Sequence, residues 1–295
     1  MNLLFAKAKW EAWDQPLLPF LARAAADGFD ATEIYISSLD KSPEEIARAH
    51  ADAGLKLVAQ IATEGDTPAE HGRSLEERYL RAAACSPLVI DCHTGSDAFT
   101  FDENLSLFSR ACDLERLHGV PLCHELHRGR ALYNAPDTLR YLQALPALRL
   151  TADLSHWQVV HEDGRLSRHA AAVDAVITRA HHVHARVGFG QGPQVPDPRA
   201  PEWAEQVAVN TAWWRRIVEA RRAEGRAFLT ITPEFGPVPY MPAVPYENRP
   251  VADAWEVNCW MRGHLSRELA APAQSMLSSD ENPDRTEPRC GAGRP

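Results

Sequence analysis

Ser42-Pro43-Glu44-Glu45-Ile46-Ala47-Arg48-Ala49-His50-Ala51-Asp52-Ala53-Gly54-Leu55-Lys56-Leu57-Val58-Ala59-Gln60-Ile61 holds one complete unit of the fold. Ser42 is a helix N-cap. Pro43 follows in the first turn, where its missing N–H leaves nothing unsatisfied, and Glu44 and Glu45 set negative charge against the positive end of the helix. Ile46, Ala49 and Ala53 recur on one face. Gly54 then stops the helix, because the position after the last turn favours a left-handed backbone that glycine adopts without a Cβ clash. The apolar run Leu55–Ile61 that follows has the length of a buried strand.

The same unit recurs on both sides of this segment. Strands are expected at Leu3–Lys9, Thr32–Ile36, Leu55–Ile61, Leu88–Cys92, Val120–Glu125, Leu148–Asp153, His182–Arg186 and Phe228–Glu234, with amphipathic segments between them. Gly28, Gly119 and Gly225 also sit just ahead of strands, as helix-ending glycines should. Strand–helix alternation implies parallel pairing through right-handed crossovers. Eight repeats are the number that closes a barrel, so the expected fold is α/β, a single (β/α)8 TIM barrel over residues 1–269. An open doubly wound sheet accepts the same alternation, but no G-x-G-x-x-G follows the first strand. Pro193–Pro201 reads as a long ordered loop. From about Pro272 onward, apolar periodicity gives way to Ser, Asp, Glu, Asn, Pro, Arg and Gly, so residues 270–295 are expected to be a disordered polar tail.

Composition excludes several function classes. The chain has 295 residues, 45% of them hydrophobic, which suits one large core. The net charge is −9, and Lys and Arg form no blocks, so no nucleic-acid partner is expected. The six cysteines are irregularly spaced without a C-x-x-C pair, as in a reducing compartment. The N-terminal apolar run is too short for a signal peptide, and no stretch approaches the roughly 18 apolar residues of a membrane span. A soluble, cytoplasmic protein without a membrane partner is expected; homo-oligomerisation is left open.

Barrels of this kind build their active sites at the C-terminal ends of the strands. Here those ends carry Lys9, Glu33, Gln60, His93, Glu125, Asp153, His184 and Glu234. A full ring of buried polar groups costs several kcal/mol unless they bind something or pair with one another. In a closed barrel, Glu125, Asp153, His184 and Glu234 from the last four strands converge on one point. Three carboxylates and an imidazole form a hard, anionic donor set suited to one divalent ion: Mn²⁺ first, then Mg²⁺, Co²⁺ or Zn²⁺. His182 shares a face with His184 but lies one layer lower, so the mouth position favours His184 as ligand, and His181 points outward.

The motifs His124-Glu125-Leu126-His127-Arg128-Gly129-Arg130, Asp153-Leu154-Ser155-His156, His182-Val183-His184 and Pro233-Glu234-Phe235-Gly236 resemble the xylose-isomerase-like barrel superfamily of sugar-phosphate isomerases and epimerases. The resemblance spans about residues 1–269 in the order and spacing of strands. It implies a metal held by Glu125, Asp153, His184 and Glu234, as in the ketose 3-epimerases of that superfamily, and substrate contact by His156. Those epimerases have a substrate-binding Arg several residues after the metal His, where this chain has Gly188-Phe189-Gly190. Arg186 is the candidate to replace it.

The chemistry expected of such a site is proton abstraction next to a carbonyl through a metal-stabilised enediolate, with Glu125 and Glu234 as catalytic acid–base groups. The substrate class is a small sugar, sugar phosphate or polyol. The reaction is isomerisation or epimerisation, with dehydration of a keto-polyol as the alternative. An apurinic-site endonuclease would need further histidine ligands, and Gln60 stands at one of those places. A non-catalytic sugar binder has no need of buried carboxylates. His93, His127 and Trp10, just beyond or at strand ends, complete the substrate-binding candidates; Trp157 is a further stacking candidate, with core packing as its commoner fate.

Overall fold

The computed structural model describes residues 1–270; the expected polar tail, with Cys290, lies outside the described residues. Strands β1 (Asn2–Ala8), β2 (Ala31–Tyr35), β3 (Lys56–Ala62), β4 (Val89–His93), β5 (Leu122–Glu125), β6 (Arg149–Ala152), β7 (Ala180–His184) and β8 (Phe228–Thr232) pair in parallel in sequence order. β8 returns to β1 through Leu4 opposite Thr230 and Phe5 opposite Ile231, which closes the ring. Around it lie α1 (Leu17–Ala26), α2 (Pro43–Asp52), α3 (Pro68–Ala84), α4 (Phe101–His118), α5 (Ala135–Ala144), α6 (Leu154–Val160), α7 (Ala170–Arg179), α8 (Ala204–Ala223) and α9 (Ala254–Glu268).

Local chemistry sets these boundaries. α2 starts on a reciprocal capping box: Glu45 N–H donates to Ser42 Oγ at 3.2 Å, and Ser42 N–H donates to Glu45 Oε2 at 2.8 Å. Thr67 with Glu70 and Thr100 with Glu103 repeat the device at α3 and α4. Gly54 ends α2 at φ +69°, in the left-handed region. No described helix is long and apolar enough to cross a membrane. Among the described residues, Cys85, Cys92, Cys112, Cys123 and Cys259 form no disulfide with one another.

Two boundaries differ from the sequence expectation in ways that matter to the site. β7 runs from Ala180 to His184 rather than from His182 to Arg186, so His184 is its last residue. The register against β6 slips by one residue between Leu150 opposite Ala180 and Thr151 opposite His182, leaving His181 as the extra residue of a bulge. β8 stops at Thr232 because Pro233 has no N–H to continue the ladder. Side-chain alternation then builds the barrel interior in layers. Ala6, Ala31, Val58, Val89 and Cys123 form a small apolar floor. Glu33, Gln60, Asp91 and Glu125 follow two residues later on their strands, and that polar level is the base of the site.

Candidate active site

Four side chains from the last four strands meet above this floor. Glu125 ends β5, His184 ends β7, and Glu234 follows β8 by two residues. Asp153 lies one residue past β6 and caps α6, where its carboxylate accepts from Ser155 N–H at 3.1 Å. One donor atom from each of Glu125, Asp153, His184 and Glu234 lies within 4.8 Å of every other. All four are buried; Glu234, at 7% exposure, is the most open to the barrel mouth.

Their polar atoms are incompletely used. His184 Nδ1 is 3.0 Å from Glu234 Oε2 and 3.5 Å from Glu125 Oε1. Yet His184 Nδ1, Glu125 Oε2 and Glu234 Oε2 have no aligned hydrogen-bond partner, although each is buried. An orphaned buried polar atom is costly, and a cation would satisfy His184 Nδ1 and Glu234 Oε2, which lie 3.0 Å apart. The donor set fits a hard divalent ion: carboxylate oxygens and one imidazole nitrogen.

Electrostatics points the same way. Burial disfavours a charged His184, but the carboxylates of Glu234, Glu33 and Glu125 outweigh it and hold its pKa well above the ordinary imidazole range. The same three carboxylates that favour positive charge on the imidazole would favour a bound cation beside it. Asp153 is pushed up to about 6, first by burial, with Glu234 and Glu125 adding to it against the opposing charge of Arg186. Glu125 is likewise opposed by burial, but His93 and His184 hold it well below the usual carboxylate range.

A model of the xylose isomerase-like TIM barrel family matches residues 21–232. The chain belongs to that family. Solved structures with the same xylose isomerase-like barrel include a xylose isomerase domain-containing protein of Salmonella typhimurium, at TM-score 0.61, 15% identity and coverage of 90% of this chain and 97% of the other. A xylose isomerase-like protein of Mycobacterium smegmatis, solved in complex with magnesium, follows at 0.59, 13%, 90% and 98%. The 3-keto-D-glucoside 4-epimerase of E. coli gives 0.58, 13%, 90% and 100%. At these identities the likeness is one of fold. No curated protein matches the sequence.

Within this xylose isomerase-like frame, the expected contact residues divide into two groups. His93, His127 and Trp10 lie partly exposed at the mouth. His93 Nε2 touches Glu125 Oε2, and the His93 and His127 rings stack at 4.5 Å. Trp10 meets Tyr240 edge-on at 5.1 Å. His156 and Arg186 are instead fully buried. Arg186 directs its guanidinium to Asp153, to Ser155 Oγ at 3.1 Å and to His156 Nε2 at 2.8 Å, so it braces the site wall.

Three further polar or aromatic residues near strand ends lie outside the cluster. Lys9 turns out of the ring and donates to the Ala12 and Trp13 carbonyls. Trp157 is core, with Nε1–H bonded to the Leu132 carbonyl. Asp91 is buried beneath the site, where Gln60 Nε2 donates to it at 3.3 Å.

Sequence reading missed Tyr240 and Gln194. Tyr240 takes the guanidinium of Arg186 at 4.9 Å and that of Arg128 at 5.0 Å over its ring. Gln194 clamps Gly236 by accepting its N–H at 2.7 Å and donating to its carbonyl at 3.2 Å. This ties the Pro193–Pro201 loop to the segment after β8. Gly236 is required there, since a Cβ would lie 1.9 Å from the Trp10 ring. The glycine in Pro233-Glu234-Phe235-Gly236 was the available signal, but nothing local says which ring it makes room for.

Proposed function

We propose that this protein is a divalent-metal-dependent isomerase or epimerase of a small sugar, sugar phosphate or polyol. The observation that carries the reading is the placement of two glutamates about one imidazole nitrogen. Glu125 approaches His184 Nδ1 from the β5 side and Glu234 from the β8 side, at 3.5 and 3.0 Å. Two carboxylates on different sides of one point can remove a proton from one face of a bound substrate and return it to the other.

Glu125, Asp153, His184 and Glu234 would hold the ion. When bound, it would draw charge from two adjacent substrate oxygens and stabilise the anion left by proton removal. Glu234, nearer the mouth and held by Arg186 at 3.6 Å, takes the proton. Glu125, fixed between His93 and His184, takes a proton from solvent and delivers it to the other face, while Glu234 gives its own up to water. Trp10 and Tyr240 supply apolar surface for a sugar ring and exclude water. Arg186 and His156 keep Asp153 aimed at the cluster.

Metal content and isotope exchange test this together. Purified protein should take up one equivalent of Mn²⁺, and Asp153→Ala and His184→Ala should abolish uptake while keeping a wild-type circular dichroism spectrum. Turnover of a ketose panel in deuterated water should place one solvent deuterium beside the product carbonyl. Loss of water from the product would make the enzyme a dehydratase instead. Two or three tightly held zinc ions without exchange would overturn the sugar reading in favour of phosphodiester cleavage.

A further inference from the structure

Glu33, an inward residue of β2, is outside the set of four, yet it is the group that His184 Nε2 contacts. Its Oε1 lies 2.9 Å from His184 Nε2, and its Oε2 lies 3.2 Å from His182 Nε2. The two rings stand edge to face, 5.1 Å between centroids. A carboxylate can only accept, so both imidazoles present N–H at Nε2. Burial alone would raise Glu33, but the paired imidazoles of His184 and His182 outweigh it and hold the carboxyl ionised.

The two histidines then differ at the other nitrogen. His182 Nδ1 lies 2.7 Å from Thr230 Oγ1 and 3.1 Å from the Thr230 carbonyl, and is satisfied. His184 Nδ1 has no hydrogen-bond partner and faces Glu125 and Glu234. Of two chemically identical rings sharing one carboxylate, only one has a ligand nitrogen to offer. We propose that Glu33 is the positioning residue of the metal centre, locking His184 so that Nδ1 rather than Nε2 is the ligand atom, with His182 holding the second carboxylate oxygen in place. A carboxylate behind a ligating imidazole fixes its rotation and raises its basicity. This inference rests on the metal-centre reading above.

The test compares full-length wild type, Glu33→Gln and Glu33→Asp. Free Mn²⁺ is counted by electron paramagnetic resonance during titration, and imidazole ¹⁵N shifts are read with Zn²⁺ bound. Gln keeps the shape but turns an N–H₂ toward one of the two rings. Wild type should bind one ion with His184 protonated at Nε2 and ligated at Nδ1. Glu33→Gln should bind Mn²⁺ about 10- to 100-fold more weakly and show a mixed tautomer pattern, while Glu33→Asp should recover part of the affinity. A purely structural role would lower the unfolding midpoint without changing affinity or the ¹⁵N pattern. Glu33→Gln binding Mn²⁺ as tightly as wild type, with the same pattern, overturns the role of Glu33 alone. If Glu33→Gln does not fold, wild-type affinity in Glu33→Asp with a disturbed His184 tautomer overturns it as well. Wild type that takes up no ion overturns the metal-centre reading, and this inference falls with it.

Discussion

Glu234 is the most consequential single side chain in the mouth. It combines a proposed ligand position, 3.0 Å from His184 Nδ1, with the greatest exposure of the four. Changing it to Gln keeps size and one oxygen donor but removes the basic carboxylate. One positioned base contributes roughly 10²–10⁴ in rate, whereas weaker metal binding alone is reversed by excess ion. Glu234→Gln at saturating Mn²⁺ should therefore bind substrate but turn over at least about a hundredfold more slowly. It should also lose exchange of the substrate's α-hydrogen with deuterated water. Full turnover restored by excess metal would leave Glu234 as a ligand only and move the base to Glu125, His93 or His156.

Strands position these side chains through period-two alternation, so a one-residue slip inverts a whole face. The bulge at His181 sets that phase for β7: His182 and His184 turn inward, and His181 turns out to meet Arg221 at 2.9 Å. β5 places one histidine on its outer face as well. His124 is buried against Phe108, with Nδ1 2.6 Å from Thr94 Oγ1, and burial pushes its pKa down to about 3 from 6.5. A folded-state pKa below the unfolded one means that the unfolded chain binds the proton more readily. The stability contributed by neutral His124 is thus fully present above pH 6.5 and is lost as pH falls through the window toward 3. Chemical denaturation at pH 7.5, 6 and 5 should show wild type losing stability on acidification faster than His124→Gln, by up to about 1.4 kcal/mol per pH unit. Parallel lines for the two proteins would mean that His124 is not held neutral in the fold.

The whole barrel is closed by hydrogen bonds between β1 and β8, and α9 packs back on it through Trp255, Val257, Met261 and Leu265. The strand pairing that closes the ring and the packing of α9 lie within residues 1–269. Deleting residues from Ser278 onward should leave both the melting temperature and the Mn²⁺ stoichiometry unchanged. A fall of more than a few degrees would show that the removed segment docks on the barrel or on a second copy. Closure also explains why four residues spread over more than a hundred positions form one cluster. Neighbouring strands of a barrel bring their C-terminal ends to a common rim.

The sequence alone determined the alternation of strands and helices, their number, the capping boxes and helix-ending glycines, and the four polar strand ends that face one another. These are readable because caps, periodicity and alternation are local: each depends on residues within one or two turns. The choice between His182 and His184 could be argued from position along the strand, but only the fold supplied the reason. Glu33 and Thr230 satisfy His182 at both nitrogens and leave His184 Nδ1 open. The bulge in β7, the burial of Arg186 against Asp153, the turning away of Lys9 and the clamp of Gln194 on Gly236 were decided by tertiary structure. Each depends on which distant chain segment arrives alongside, and a contact between residues 42 positions apart, such as Gln194 with Gly236, leaves no periodic trace in either segment.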